Sequence, residues 1–356
     1  MRVLAIETSC DETGVALVEG ERTPGGFRFS VLGSALLSQA ALHAQYGGVF
    51  PTLAKREHEK NLPLILSQAL QNAGIRSESA SLQHTNIDCV AVTHGPGLEP
   101  ALWTGITFAQ KLAEESHLPL MGVNHMEGHL LSSLVVDGNL EEVEFPVLGL
   151  LISGGHTEFV LMRDWFVYEI IGTTLDDAVG EAFDKVARLL ELPYPGGPQI
   201  SKLADEARSK KQSSDVALPR PMLGAQSCDM SFSGLKTAAL YALRGKTLSD
   251  DERAAFAREF EDAVGDVFIS KTRKALLQTD AHTFVIGGGV AANRYLRERL
   301  THMVHDEFPA VSVRLPELSI TGDNAIMIGQ AALARALTYG LPTENAPLRA
   351  VGNLSL

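Results

Sequence analysis

The chain has 356 residues, 45% of them hydrophobic and 21% charged, which suits two globular domains with sizeable cores. A formal charge of −13 excludes a general polyanion binder, so any nucleic-acid contact must be local or shared with a partner. Three widely spaced cysteines, Cys10, Cys89 and Cys228, exclude a disulfide framework and point to the reducing cytoplasm.

In chain order, strands are predicted at Val3–Thr8, Gly14–Glu19 and Phe27–Leu37, with the first so near Met1 that no leader peptide is expected. A helix over Thr52–Ala73, a strand at Asp88–Thr93, a helix over Ala101–Glu115, a strand at Leu118–Val123 and a helix over Leu130–Val136 follow. The second half repeats the style. Strands are predicted at Val147–Ser153, Glu158–Met162, Phe166–Ile171, Thr283–Ile286 and Val311–Leu315. Helices are predicted over Asp176–Leu190, Asp251–Leu277, Ala291–Val304 and Asp323–Thr338. No apolar run reaches the ~18 residues of a membrane span. Alternating strands and helices give an α/β chain of two similar lobes, expected at 1–145 and 146–356. The Pro-punctuated, Lys/Arg-containing stretch 192–246 reads as an insertion, partly helical near Gln199–Ser209, either a solvated loop or a lid over a cleft.

An internal repeat supports the duplication. Val3–Val18 aligns without a gap on Val147–Met162, each reading strand, small-polar turn, strand.

The turns carry the chemistry. Asn124-His125-Met126-Glu127-Gly128-His129 puts two histidines at i and i+4, one above the other on a helix, where two imidazoles can hold one divalent ion. The alternative is a solvated polar helix start. A zinc peptidase is disfavoured: Met126 occupies the slot its glutamate needs, and Glu127, one residue later, is rotated by about 100°. Asp11 and Glu12, in the turn Thr8–Thr13, are candidate proton acceptors. Ser153-Gly154-Gly155-His156-Thr157 and Gly287-Gly288-Gly289-Val290-Ala291-Ala292-Asn293 are glycine turns that let backbone amides approach a phosphate or flat ligand. Asp323, before an apolar-periodic helix, is either an N-cap or the third member of a His-His-Asp metal set. His43, His58, His117, His282, His302 and His305 are expected at the surface, Trp103 and Trp165 in the core, and Lys271–Lys274 at a solvated helix end.

Together, Glu7–Thr13, His125–His129, Ser153–Thr157, Gly287–Asn293 and Thr321-Gly322-Asp323-Asn324 resemble the TsaD family, the tRNA threonylcarbamoyladenosine transferases, with His156 as in its bacterial branch. The resemblance implies two duplicated ribonuclease-H-like lobes of the actin, hexokinase and chaperone-ATPase fold with a cleft between them. It implies His125, His129 and Asp323 as ligands of one divalent metal, iron by preference or zinc. Leu151, Ile152, Ser153, Gly154, Gly155, Asp184, Gly197 and Asn293 are then expected to hold an adenylate. Some relatives carry a tyrosine ligand where Leu151 stands here, which leaves water or a substrate oxygen to complete the coordination. The implied reaction moves a threonylcarbamoyl group from threonylcarbamoyl-AMP to an adenine of tRNA, with TsaB-like and TsaE-like proteins as partners. A small-molecule kinase of the same fold and a nucleotide-driven interaction module are the alternatives, and neither requires the histidine pair.

Overall fold

The computed structural model describes residues 1–75, 82, 85–343 and 345–356. Its elements are β1 (Arg2–Glu7), β2 (Glu12–Thr23), β3 (Gly26–Ser38), α1 (Ala40–His43), α2 (Pro51–Asn72), β4 (Cys89–Gly95), α3 (Glu99–Ser116), β5 (Leu120–Asn124), α4 (His125–Leu134) and β6 (Asn139–Glu141). There follow β7 (Val147–Ile152), β8 (Thr157–Asp164), β9 (Val167–Thr173), α5 (Val179–Leu189), α6 (Gly196–Ser209), α7 (Ser233–Leu243), α8 (Asp250–Thr279), β10 (Thr283–Gly287), α9 (Arg294–Glu307), β11 (Ser312–Arg314) and α10 (Ala325–Tyr339).

The two sheets share one five-strand order, to which the first adds β6 beside β3. The first runs β5-β4-β1-β2-β3-β6 and the second β11-β10-β7-β8-β9. In each, an antiparallel meander (β1-β2-β3, β7-β8-β9) is extended by two parallel strands. This is the ribonuclease-H-like order expected twice over. The repeat extends to register: Val3 pairs with Val18, and Val147, 144 residues on, pairs with Met162, 144 residues beyond Val18. Equal hairpin length keeps the same residues facing the core, since a one-residue slip would turn every side chain to the other face.

Sequence order does not divide the chain into the two expected domains. The first compact unit comprises 1–43, 49–143 and 316–356, the second 44–48 and 144–315. Residues 316–356 therefore leave the domain assigned to them. The cause is α10, whose small residues bring it close to the first sheet: Gly329 lies against Ala5 and Val18. The first core joins Leu4, Ile6, Val15 and Leu17 to Leu62, Leu66 and Ile106, and the second joins Leu148, Leu150 and Phe159 to Phe183, Phe260 and Phe268. Among the described residues no helix is long and apolar enough to cross a membrane.

Capping explains where the helices start. Asn124, Asn293 and Asn324 each accept from amides of the following first turn, so α4 begins at His125, α9 at Arg294 and α10 at Ala325. α8 opens with a reciprocal Ser249–Glu252 capping box. α5 starts at Val179 rather than Asp176 because the Asp176 carboxylate is used elsewhere. It accepts the Phe232 and Ser233 amides and both serine hydroxyls of Ser231 and Ser233, and so caps α7 from outside. That capping holds the Asp176 carboxyl low, at about 2, against the upward push of burial. α7 itself was not read from the sequence.

Several placements differ from expectation. His43 and His58 are buried, as is Lys271, whose Nζ donates to the Ser227 carbonyl, while Trp103 is 43% exposed. Glu127 is also buried, and its carboxylate accepts from Arg335 Nε of α10 at 2.7 Å, tying α4 to α10. Arg335→Ala is expected to lower stability by about 1–3 kcal/mol, the scale for leaving the buried Glu127 carboxylate short of a donor when the departing Arg335 side chain is itself 37% exposed. Arg335→Met with Glu127→Leu should recover most of that loss in urea unfolding. Equal losses in the single and double variants would show that packing, not charge, is at stake.

Candidate metal centre and nucleotide loops

β1 delivers Glu7 to the floor of the site. Its side chain is wholly buried, where an unpaired carboxylate would be costly. The Ser9 amide and the Thr93 hydroxyl donate to it, and His125 Nδ1 lies 3.1 Å from its second oxygen. Ser9 Oγ also approaches His125 Nδ1, at 3.2 Å. With Nδ1–H directed at a carboxylate, His125 turns Nε2 the other way, towards Asp323 Oδ1 at 3.3 Å. His129, one helical turn on, presents Nε2 to the same oxygen at 3.1 Å, and the two rings stand edge to face with centroids 4.6 Å apart.

Asp323 reaches both rings because it is not the helix cap. Asn324 takes that role, accepting from the Met327 amide and donating to the carbonyls of Ile320 and Gly322. The sequence reading that left Asp323 a choice between cap and ligand is resolved against the cap.

The charges are interlocked. Burial raises the Glu7 and Asp323 carboxyls, but His125 outweighs it in both, with His129 adding to the effect at Asp323, so both lie below their ordinary values. Burial lowers the two imidazoles; for His125 the carboxylates Asp323 and Glu7 reverse the sign, while for His129 burial prevails. Two imidazole nitrogens and one carboxylate oxygen, all within 4.8 Å of one another, form the one such cluster among the described residues. Donors at ~2.0–2.2 Å from one shared ion have such separations, and the set suits a borderline transition ion such as iron or zinc. Glu7 supplies the outer carboxylate that fixes a histidine ligand's tautomer. The donor set therefore fits one divalent metal. The motif alone assigns Glu7 no role; its signal in the sequence is an acidic residue ending an apolar strand.

The Asp11–Glu12 turn lies beside this site. Burial, then Asp11 and Asp323, push the Glu12 carboxyl up to about 9, so Glu12 keeps its proton at neutral pH. Ser38 Oγ donates to Glu12 at 2.9 Å. Cys10 is pushed well above its ordinary value by burial and then by Asp11, which keeps the thiol protonated.

The residues expected to hold an adenylate all belong to the second unit. Leu151 and Ile152 end β7 with buried side chains, so only their backbone can meet a ligand. Gly288 has φ +89°, and a Cβ there would fall 2.4 Å from the Ile152 carbonyl oxygen, so glycine is required for the two turns to meet. Ser153 Oγ accepts the His156 amide, and the Ser153 carbonyl accepts the Gly180 amide at the start of α5. Gly154 and Gly155 are exposed, with open space where a Cβ would be. Asp184, one turn along α5 from Gly180, accepts the Gly196 amide at 2.7 Å, which places Gly197 at the opening of α6. Asn293 caps α9 through Oδ1 and donates through Nδ2 to Ser201 Oγ and Glu261 Oε1. Both amide hydrogens are thus committed within the fold.

Residues 30–330 match the TsaD family, described as tRNA N6-adenosine threonylcarbamoyltransferase. The chain belongs to the TsaD family. That membership makes it a transferase of tRNA modification. Among solved structures, HypF of T. kodakarensis is similar, with 15% identity, TM-score 0.56, and 98% of this chain and 49% of that chain covered. A full-length HypF in phosphate- and nucleotide-bound form is similar at 13% identity and TM-score 0.53, with 95% and 47% covered. The chain thus spans about half of each HypF chain, and the likeness shows a shared fold.

The capping geometry separates two neighbours. Asp323→Asn should lower metal content while leaving the first turn of α10 capped, whereas Asn324→Ala should keep the three donor groups and cost ~1 kcal/mol of stability through the lost cap. Metal content by elemental analysis and thermal unfolding of both variants check this. His125→Ala with His129→Ala should also empty the site while circular dichroism stays native; metal retained in that double variant would remove the assignment.

Proposed function

We propose that this protein transfers the threonylcarbamoyl group of threonylcarbamoyl-AMP to the N6 amine of the adenine 3′ of the anticodon in tRNAs reading codons that begin with A, releasing AMP. The observation that carries the reading is the convergence of His125 Nε2, His129 Nε2 and Asp323 Oδ1 in a chain of this family. The same convergence stands against a peptidase, because Glu127 is turned to Arg335.

In the reaction the amine nitrogen forms a bond to the carbamoyl carbon, and that carbon's bond to the phosphate oxygen breaks. AMP leaves with the bonding pair, and the amine gives up one proton. A divalent ion held by His125, His129 and Asp323, iron by preference, would supply Lewis-acid stabilisation of negative charge on the donor. Glu7 keeps the His125 Nε2 lone pair directed at that position. Backbone amides of Ser153, Gly154 and Gly155 would receive the adenylate phosphate, with Asp184, Gly197 and the Asn293 turn beside its ribose and base. Asp11 is the better candidate to accept the amine proton. The Glu12 carboxyl, pushed up to about 9 by burial and then by Asp11 and Asp323, would hold its proton at neutral pH and leave the acceptor role to Asp11.

The tRNA surface is supported by charge distribution. The second unit holds 20 of the 30 Lys and Arg and 24 of the 43 Asp and Glu, leaving it at −4 and the first unit at −9. Exposed Lys202, Lys211, Arg244 and Lys246 in the second unit offer phosphate contacts. TsaB-like and TsaE-like proteins are the proposed partners. A TsaB-like partner would bind the first unit on α2 and α3, where Leu64 and Trp103 are 64 and 43% exposed.

The test is incubation of the protein and its partners with preformed threonylcarbamoyl-AMP and unmodified tRNA. Modified nucleoside and AMP in equal amounts, without ATP, are expected. A requirement for the γ-phosphate of ATP in this step would favour a kinase. Asp11→Asn should lose ~10²–10⁴-fold, the scale for a general base, whereas Glu12→Gln, which keeps a neutral donor, should stay within ~10-fold. The reverse ranking would assign the base to Glu12.

A further inference from the structure

The histidine helix does not stand on the first sheet alone. A segment without regular structure, 345–355, follows α10 and runs along the ends of β4 and β5. Asn345 clamps the edge of β5, taking the Leu120 amide at 2.7 Å on Oδ1 and giving Nδ2 to the Leu118 carbonyl at 3.2 Å. Farther on, the Val351 amide donates to the His94 carbonyl and the Gly97 amide donates to the Gly352 carbonyl. The approach is close: a Cβ on Gly95 would fall 2.2 Å from the Val351 carbonyl oxygen. Leu348 packs against Gly122 of β5. The segment ends on the cap of α4, where Asn124 Nδ2 donates to the Ser355 carbonyl at 3.1 Å.

That last bond selects one of two amide orientations. Asn124 must point Oδ1 at the Met126 and Glu127 amides, at 2.8 and 3.3 Å, to cap α4. Its Nδ2 then needs an acceptor on the opposite side, and Ser355 provides it. The same segment also reaches the other support of His125. Gly97, held by Gly352, precedes Leu98, whose amide donates to the Ser9 carbonyl at 2.8 Å, and Ser9 Oγ approaches His125 Nδ1.

We propose that segment 345–355 is a positioning element of the metal centre, acting through the Ser355–Asn124 hydrogen bond to fix the first turn of α4 and, with it, His125. In its metal arm this rests on the His125, His129 and Asp323 reading; in its structural arm it does not. Asn124→Ser keeps an N-cap hydroxyl and deletes the arm that meets Ser355. A chain ending at Leu354 keeps Asn124 and the Gly97–Gly352 contact and deletes the Ser355 acceptor.

Zinc titration of the 356-residue protein, each variant and the combination tests the first arm. Each single change should weaken zinc binding by ~10–100-fold, the scale for losing an outer-shell contact. The combination should weaken it no further than either change alone, because both break one bond. Amide hydrogen exchange in the metal-free proteins tests the second arm. The Met126 and Glu127 amides should exchange faster in the shortened chain, with the protection of β1 and β4 unchanged. Unaltered zinc affinity with unaltered exchange, or losses that add in the combination, would overturn the proposal. If the unsubstituted protein binds no zinc, the metal reading fails, and exchange at Met126 and Glu127 alone decides whether the segment holds α4.

Discussion

Glu7 ends an apolar strand with its carboxylate entirely out of water, and the first unit is arranged around satisfying it. Amide, hydroxyl and imidazole donors from Ser9, Thr93 and His125 converge on its two oxygens. A buried charge so paired is costly to disturb, because removing any one partner leaves the desolvation penalty uncompensated. Its consequence is directional. The imidazole of His125 cannot rotate without losing Glu7, so Nε2 is held towards Asp323. Protonated, the ring bridges two carboxylates; an ion entering there must displace the Nε2 proton, which couples metal affinity to pH.

Three asparagines turn this electrostatic arrangement into geometry. Asn124 sets the first turn of α4, Asn324 frees Asp323 by capping α10 in its place, and Asn293 caps α9 while joining α6 and α8 through Ser201 and Glu261. In each case Oδ1 serves a helix start, while Nδ2 serves tertiary structure at Asn124 and Asn293 and the preceding loop, through the Ile320 and Gly322 carbonyls, at Asn324. An aspartate at these positions would cap as well and lose the second function.

The strands, the long helices and the duplication were legible because each depends on local periodicity, and the 144-residue offset survives as identical pairing register. The convergence of His125 and His129 was legible from their i, i+4 spacing, and that of Asp323 from the motif alone. Three things were not, for physical reasons. The assignment of 316–356 to the first unit depends on helix-to-sheet packing between residues more than 300 apart, such as Gly329 and Ala5, and no local pattern encodes that. The burial of His43 and His58 depends on a network: His58 meets Thr13 Oγ1 at 2.8 Å and the Cys10 carbonyl at 3.0 Å, and His43 meets Gln39. Lone histidines in a sequence give no sign of such partners. α7 lacks a cap of its own, since Asp176 supplies it from 56 residues away.

The distribution of tasks follows from the unit boundaries. His125, His129, Asp323, Glu7 and the Asp11–Glu12 turn all lie in the first unit, and the glycine turns with Asp184, Gly197 and Asn293 all lie in the second. The three side chains proposed to hold the ion therefore lie within one compact body, and their geometry is fixed by that body's own core. Placing Asp323 there required the chain to return after residue 315, so that the helix start it precedes could pack beside α4. Asp323, the member of the cluster most distant in sequence, is thus held by the same packing of α10 on β1 and β2 that defines the unit.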